Sequence, residues 1–110
     1  MERFDASDFV GGWFVGAFSP TTLHSTDFEV CVKRYSAGET EPVHYQLSAV
    51  EITFIVSGEC RIGSLTLKAN DILKILPLEA ADFEAVTDVV LVAVKSPSIP
   101  DDKRLGVVYE

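Results

Sequence analysis

The sequence predicts an all-β fold, a sandwich or barrel of short antiparallel strands. Two observations carry this expectation. Short segments that are apolar or alternate with a period of two recur along the chain, with turn residues between them. No segment sustains the 3.6-residue periodicity of an amphipathic helix. At 110 residues the chain is one domain, large enough for a single core but not for two.

The first 26 residues read as an arm. They hold Phe4, Phe9, Trp13, Phe14 and Phe18, five of the eleven aromatic residues, which is too apolar for a disordered tail. Gly11, Gly12 and Gly16 allow a bent, extended path past Trp13. Ser19 to Asp27 is loop by composition, and His24 within it reads as solvent-exposed. Phe28, Val30 and Val32 then alternate with Glu29, Cys31 and Lys33, and Arg34 falls on the valine face. The stretch from Gly38 to Gly58 reads as two short strands joined by a turn, the second of them apolar from Ile52 to Val56. Arg61 to Lys68 is expected to pair with that strand through the Ser57-Gly58-Glu59 turn. Ile72 to Leu76, Phe83 to Val86 and Val89 to Val94 complete the set. Pro97 and Pro100 end the strand order, and the final LGVVYE is either an edge strand or a frayed end. The expected divisions are an arm over 1–26, a barrel over 27–95 and a tail over 96–110.

Asp plus Glu number 17 against 9 Lys plus Arg, a net charge of -8. Such a chain repels phosphate backbones, so no nucleic-acid partner is expected. No apolar run reaches the ~20 residues of a membrane span. The polar, acidic opening ERFDASD lacks the architecture of a leader. A soluble cytoplasmic protein without a membrane partner is the expectation. Cys31 and Cys60 lack the spacing of a zinc or redox motif and read as buried free thiols, with a disulfide the alternative. Ile52–Val56 and Val89–Val94 have no polar face, although a sheet with one solvated side would alternate. Both faces are therefore expected to be covered, one by the barrel interior and the other by the arm or a second subunit. A homodimer is the expected assembly.

The chemistry concentrates in GETEPVHYQLSAVEITFIVSG. Five residues separate Gly38 from His44, one separates His44 from Gln46, four separate Gln46 from Glu51, and six separate Glu51 from Gly58. Residues two apart in a strand share a face, so His44 and Gln46 look the same way. A tight connection then sets Glu51 beside them. An imidazole, a carboxamide and a carboxylate converge at one end of a sheet. Thr53 shares the face of Glu51 and extends the polar set, whereas Tyr45 is expected to point away and pack.

This spacing matches the first cupin motif, G-x5-H-x-H-x3,4-E-x6-G, with Gln46 in place of the second histidine. The second motif, close to G-D-x-x-x-I-P-P-G-x-x-H, is met by Asn70 to Ala81 without a gap. Asp71, Ile75 and Pro77 match, Asn70 and Leu78 replace the glycines, and Ala81 stands where the last histidine belongs. The chain thus resembles the small single-domain RmlC-like cupins over residues 28 to 95, in particular a subgroup of short cupins of unassigned function. The resemblance implies a double-stranded β-helix (jelly-roll) barrel with an N-terminal arm. It also implies a metal site of three histidines and one glutamate, of which His44 and Glu51 carry over. A weak, incomplete set of His44, Gln46 and Glu51 falls short of the three or four good ligands that a transition metal takes. The expected state is metal-free, with a divalent transition metal the alternative. Asp82 neighbours the lost histidine, and strand alternation turns it to the other side.

These residues lead to a barrel that binds a small polar ligand, a sugar or a carboxylate, through His44, Gln46, Glu51 and Thr53, with Arg34 as an anion contact at the mouth. The alternative is an enzyme, either a metal-dependent oxygenase or isomerase or a metal-free sugar epimerase. In the metal-free case His44 is the catalytic base and Glu51 the carboxylate that orients it. A purely structural His44–Glu51 pair and a dimer surface that is itself the function complete the field.

Overall fold

Turn residues cut the chain into ten short strands: β1 (Trp13–Val15), β2 (Glu29–Tyr35), β3 (Thr40–Gln46), β4 (Val50–Ser57), β5 (Glu59–Ile62), β6 (Leu65–Lys68), β7 (Ile72–Ile75), β8 (Ala81–Ala85), β9 (Val89–Ser96) and β10 (Lys103–Leu105). The computed structural model describes residues 1–108. The strands form two five-stranded antiparallel sheets, β1-β2-β9-β4-β7 and β10-β3-β8-β5-β6. From β2 onward the chain passes back and forth between the sheets, winding them into the expected double-stranded β-helix. Among the described residues no helix is long and apolar enough to cross a membrane. The only helical elements described are two 3₁₀ turns of the arm, Ala6–Asp8 and Val10–Gly12.

One expected pairing is overturned. Arg61 to Lys68 is not a single strand beside β4. It is the β5–β6 hairpin, which turns at Gly63-Ser64 and lies in the other sheet, with β5 paired to β8. Gly58 makes the crossing: its φ of 88° is left-handed, and a Cβ there would run into the Asp88 carbonyl, so a side chain is excluded. The two positions where the sequence departs from glycine keep the left-handed backbone, with φ of 78° at Asn70 and 71° at Leu78. Asparagine accepts that region readily, whereas leucine does not.

The inward faces follow the alternation of each strand. On β9 they are Val89, Leu91, Ala93 and Lys95, all buried. Opposite them on β2 stand Tyr35, Lys33, Cys31 and Glu29, and on β4 Ile55, Thr53 and Glu51. Ile55, Cys31, Cys60, Leu67, Phe83 and Ala85 form the core between the sheets. Both thiols are free, and burial pushes that of Cys31 up to about 11 and raises that of Cys60. Val30, Val32 and Arg34 face outward, so the valine face of β2 is not the core face.

The arm and the tail each add a strand. β1 pairs with β2 at one sheet edge, and β10 pairs with β3 at the edge of the other. Ser98 ties them together: its N–H donates to the Thr26 carbonyl, and its hydroxyl accepts from the Ala17 N–H at 2.9 Å. The arm does not cover the outer face of β4, where Ile52 and Val56 stay 36% and 46% exposed. Of the terminal LGVVYE segment, Leu105 ends β10, and the last two residues lie outside the described ones.

Candidate functional site

The site is assembled by the turn between β3 and β4. Asp102, a buried residue of the tail, accepts from the backbone N–H of Ser48 at 3.1 Å and of Ala49 at 3.0 Å, and its own carbonyl accepts from Leu47. Three of the turn's N–H groups are satisfied by one residue, which fixes the path of the chain from one sheet to the other. β3 therefore ends with Gln46 on one wall, and β4 begins with Glu51 on the facing wall.

Between these walls opens a cavity of about 140 Å³, lined by His44, Gln46, Glu51 and Thr53 together with Trp13, Lys33, Tyr35, Glu41 and Lys95. The Tyr35 hydroxyl donates to Glu41 Oε1 at 3.1 Å, and its ring lies against Phe83 with centroids 4.3 Å apart. Burial pushes the Tyr35 phenol well above its ordinary range, and the Glu41 charge adds to the shift, so the group is a neutral O–H donor at neutral pH. Lys33 and Lys103 each place Nζ 4.0 Å from a Glu41 oxygen. Thr53 Oγ1 donates to Glu51 Oε2 at 3.3 Å. Lys95 Nζ lies 4.7 Å from the centre of the Trp13 ring, within the range of a cation–π contact, and Lys33 Nζ lies 5.9 Å from it.

His44, Gln46, Glu51 and Thr53 are thus brought to one cavity, but the coupled pair is not formed. His44 Nδ1 is 3.1 Å from the Pro42 carbonyl, which can only accept; the contact holds the proton on Nδ1 and leaves Nε2 toward other partners. Glu51 is engaged by Thr53, and no hydrogen bond or ion pair joins it to His44 among the described residues. Arg34 is exposed and does not line this cavity; it borders a separate depression with Ser36, Ser57 and Asp88, because the inward face of β2 belongs to Lys33 and Tyr35. Tyr45 and Asp82, both expected to face away, border the cavity, and Arg61 clamps the Asp82 carboxylate with bonds of 2.9 and 3.0 Å. This guanidinium holds the Asp82 carboxyl below its usual range.

The family's metal-binding set is not met by these side chains. Ala81 stands directly opposite His44 in the β3–β8 ladder, so the missing histidine is missing at the place from which it would reach the imidazole. Among the described residues no three His, Cys, Asp or Glu side chains are grouped to hold an ion. One imidazole and one carboxylate do not make a transition-metal site.

Sequence reasoning missed Trp13, Lys33, Tyr35, Glu41 and Lys95. A signal for three of them was present: Lys33 and Tyr35 share the period-two face of Cys31, and Lys95 shares the face of Leu91 and Ala93.

No family model and no curated protein sequence matches the chain. Solved structures do. An uncharacterised conserved protein with a double-stranded β-helix domain from Klebsiella pneumoniae subsp. pneumoniae MGH 78578 is similar with a TM-score of 0.72 at 20% identity, over 96% of this chain and 92% of that one. DMSP lyase DddQ from Ruegeria pomeroyi DSS-3 gives 0.70 at 16% identity, over 94% of this chain and 59% of that one. An RmlC-like cupin from Shewanella frigidimarina NCIMB 400 gives 0.61 at 19% identity, over 69% and 71%. At such identities the likeness concerns the fold, and it agrees with the winding of the two sheets: the chain has the double-stranded β-helix fold of the RmlC-like cupins.

Proposed function

We propose that this barrel binds a small polar ligand, a sugar or a carboxylate, in the cavity between its sheets. The observation that carries this reading is the burial of Gln46, Thr53 and Lys95, which are 4%, 3% and 9% exposed at the cavity wall. Burying a polar group costs free energy unless it is hydrogen-bonded. Thr53 has Glu51; the Gln46 carboxamide and the Lys95 ammonium bond to no protein group among the described residues and keep their polar atoms open to the cavity, since no fully buried side-chain polar atom is left unpaired there. A polar ligand in the cavity can bond to these groups in place of solvent.

A thermal-shift screen of sugars and small acids, run on wild type and on Gln46→Leu, tests the reading. A ligand present at 100 times its dissociation constant stabilises the folded state by about 2.7 kcal/mol. The expected result is a hit whose stabilisation is lost in Gln46→Leu, which keeps the side-chain volume and removes the carboxamide. A hit that stabilises both proteins equally would place its site elsewhere.

A second reading, catalysis on the same ligand, is favoured by the Tyr35–Glu41 hydrogen bond with two lysines beside it, a proton donor and a charged acceptor in one cavity. Among the fold's neighbours, DMSP lyase and oxalate oxidase are named as enzymes. Conversion of the bound hit, followed by NMR of the ligand, separates the two: Tyr35→Phe would abolish turnover but leave simple binding measurable.

A further inference from the structure

We propose that the ligand is a small carboxylic acid whose carboxylate is held by Lys95 against the face of Trp13. This rests on the cavity being a ligand site. Every other charged group at the wall has a partner: Glu41 has Tyr35, Lys33 and Lys103; Glu51 has Thr53; Asp82 has Arg61; and Glu79 Oε1 accepts from the Leu76 N–H. Lys95 differs. It is nine-tenths buried, its ammonium opens onto the cavity, and it donates to no acceptor among the described residues.

Two carboxylates, Glu29 and Glu51, stand opposite Lys95 on the flanking strands. Neither comes as near to Nζ as the 4.0 Å that separates Lys33 and Lys103 from Glu41. The Trp13 ring draws the ammonium instead, at 4.7 Å from its centre. An ammonium has three N–H donors, and a π face satisfies at most one direction. Lys95 acts on Glu29 only through space, and its remaining N–H donors open onto the cavity, where an anionic acceptor of a ligand can take them.

The opposite wall supplies the other half of the recognition. The Gln46 carboxamide offers both a donor and an acceptor, and His44 Nε2 offers an acceptor while Nδ1–H faces Pro42. Those groups fit a hydroxyl or carbonyl on the same small molecule. The cavity of about 140 Å³ has room for a short acid beside these groups.

Trp13 is the only tryptophan and lies beneath Lys95, so its fluorescence reports on this position. Lactate, glycerate and malonate are titrated against lactamide and glycerol, neutral molecules of similar size, on the full chain. At least one acid is expected to change Trp13 emission saturably, with lactamide and glycerol weaker by about tenfold or more, since a buried charge contact is being removed. Lys95→Met is expected to weaken the acid about tenfold or more, and Lys95→Arg to retain it. Neutral compounds binding as well as the acids, or a folded Lys95→Met protein binding the acids like wild type, overturns the inference while the cavity reading stands. No probe binding at all, by fluorescence or by thermal shift, overturns both. The comparison of acid with amide on wild type decides the matter even where Lys95→Met does not fold.

Discussion

Ala81 faces His44 across the β3–β8 ladder, and Gln46 follows two residues later on the His44 face. A single methyl group and a carboxamide therefore stand where the cupin resemblance places two imidazoles. The backbone is left-handed at Asn70 and Leu78, with φ of 78° and 71°. Gln46→His with Ala81→His should then complete a three-histidine, one-glutamate set with His44 and Glu51. The double variant is expected to take up one zinc or nickel ion per chain and to gain about 2.7 kcal/mol of stability at 100 times the dissociation constant. Calorimetric titration of wild type and double variant checks this. Failure of the double variant to bind would show that Ala81 does not aim at the cavity from this register.

The turn at Leu47–Ala49 is the element on which the site depends, and a residue far along the chain holds it. Asp102 is buried and accepts two backbone hydrogen bonds with its carboxylate. Bonds to a charged acceptor contribute about 1.5–3 kcal/mol each, and Asp102→Ala also leaves buried N–H groups unpaired. Asp102→Ala is expected to cost about 3 kcal/mol in denaturant unfolding and to abolish ligand binding, because the turn sets Gln46 against Glu51. A loss under ~0.5 kcal/mol, the level of an ordinary surface substitution, would contradict this role.

The strands between β2 and β9 other than the β5–β6 hairpin, and the gathering of His44, Gln46, Glu51 and Thr53 at one cavity, could be read from spacing, because strand alternation has a fixed period. The inward face of β2 could not. Alternating valine and charge normally buries the valine, but here Lys33 and Tyr35 line a polar cavity and Val30 and Val32 face out. The Arg61–Lys68 segment misled for a related reason: a turn at Gly58 can close a hairpin or cross to the second sheet, and here it crosses, with Gly58 packed against the Asp88 backbone. Asp102 carried no local signal, since its partners lie more than fifty residues away.

Over the whole molecule the sheets present opposite characters on their two sides. Inside, polar groups gather at the cavity end; outside, the β1-β2-β9-β4-β7 sheet exposes Ile52, Val56 and Ile72 at 36%, 46% and 65%, flanked by Val92 and Val94. A large exposed apolar patch marks an interaction surface. We propose that a second copy of the chain covers it. Light scattering is expected to give a dimer at tens of micromolar, and Ile52→Glu with Ile72→Glu to give a folded monomer. A wild-type monomer would leave that face without its proposed partner. The proposed ligand site lies inside the barrel. Its most direct test is backbone and indole NMR of the ¹⁵N-labelled chain titrated with the strongest hit from the screen. Shifts centred on the Trp13 indole, Gln46, Thr53 and Lys95 are expected; shifts confined to the outer valine face, with these four signals unmoved, would place the ligand outside the cavity.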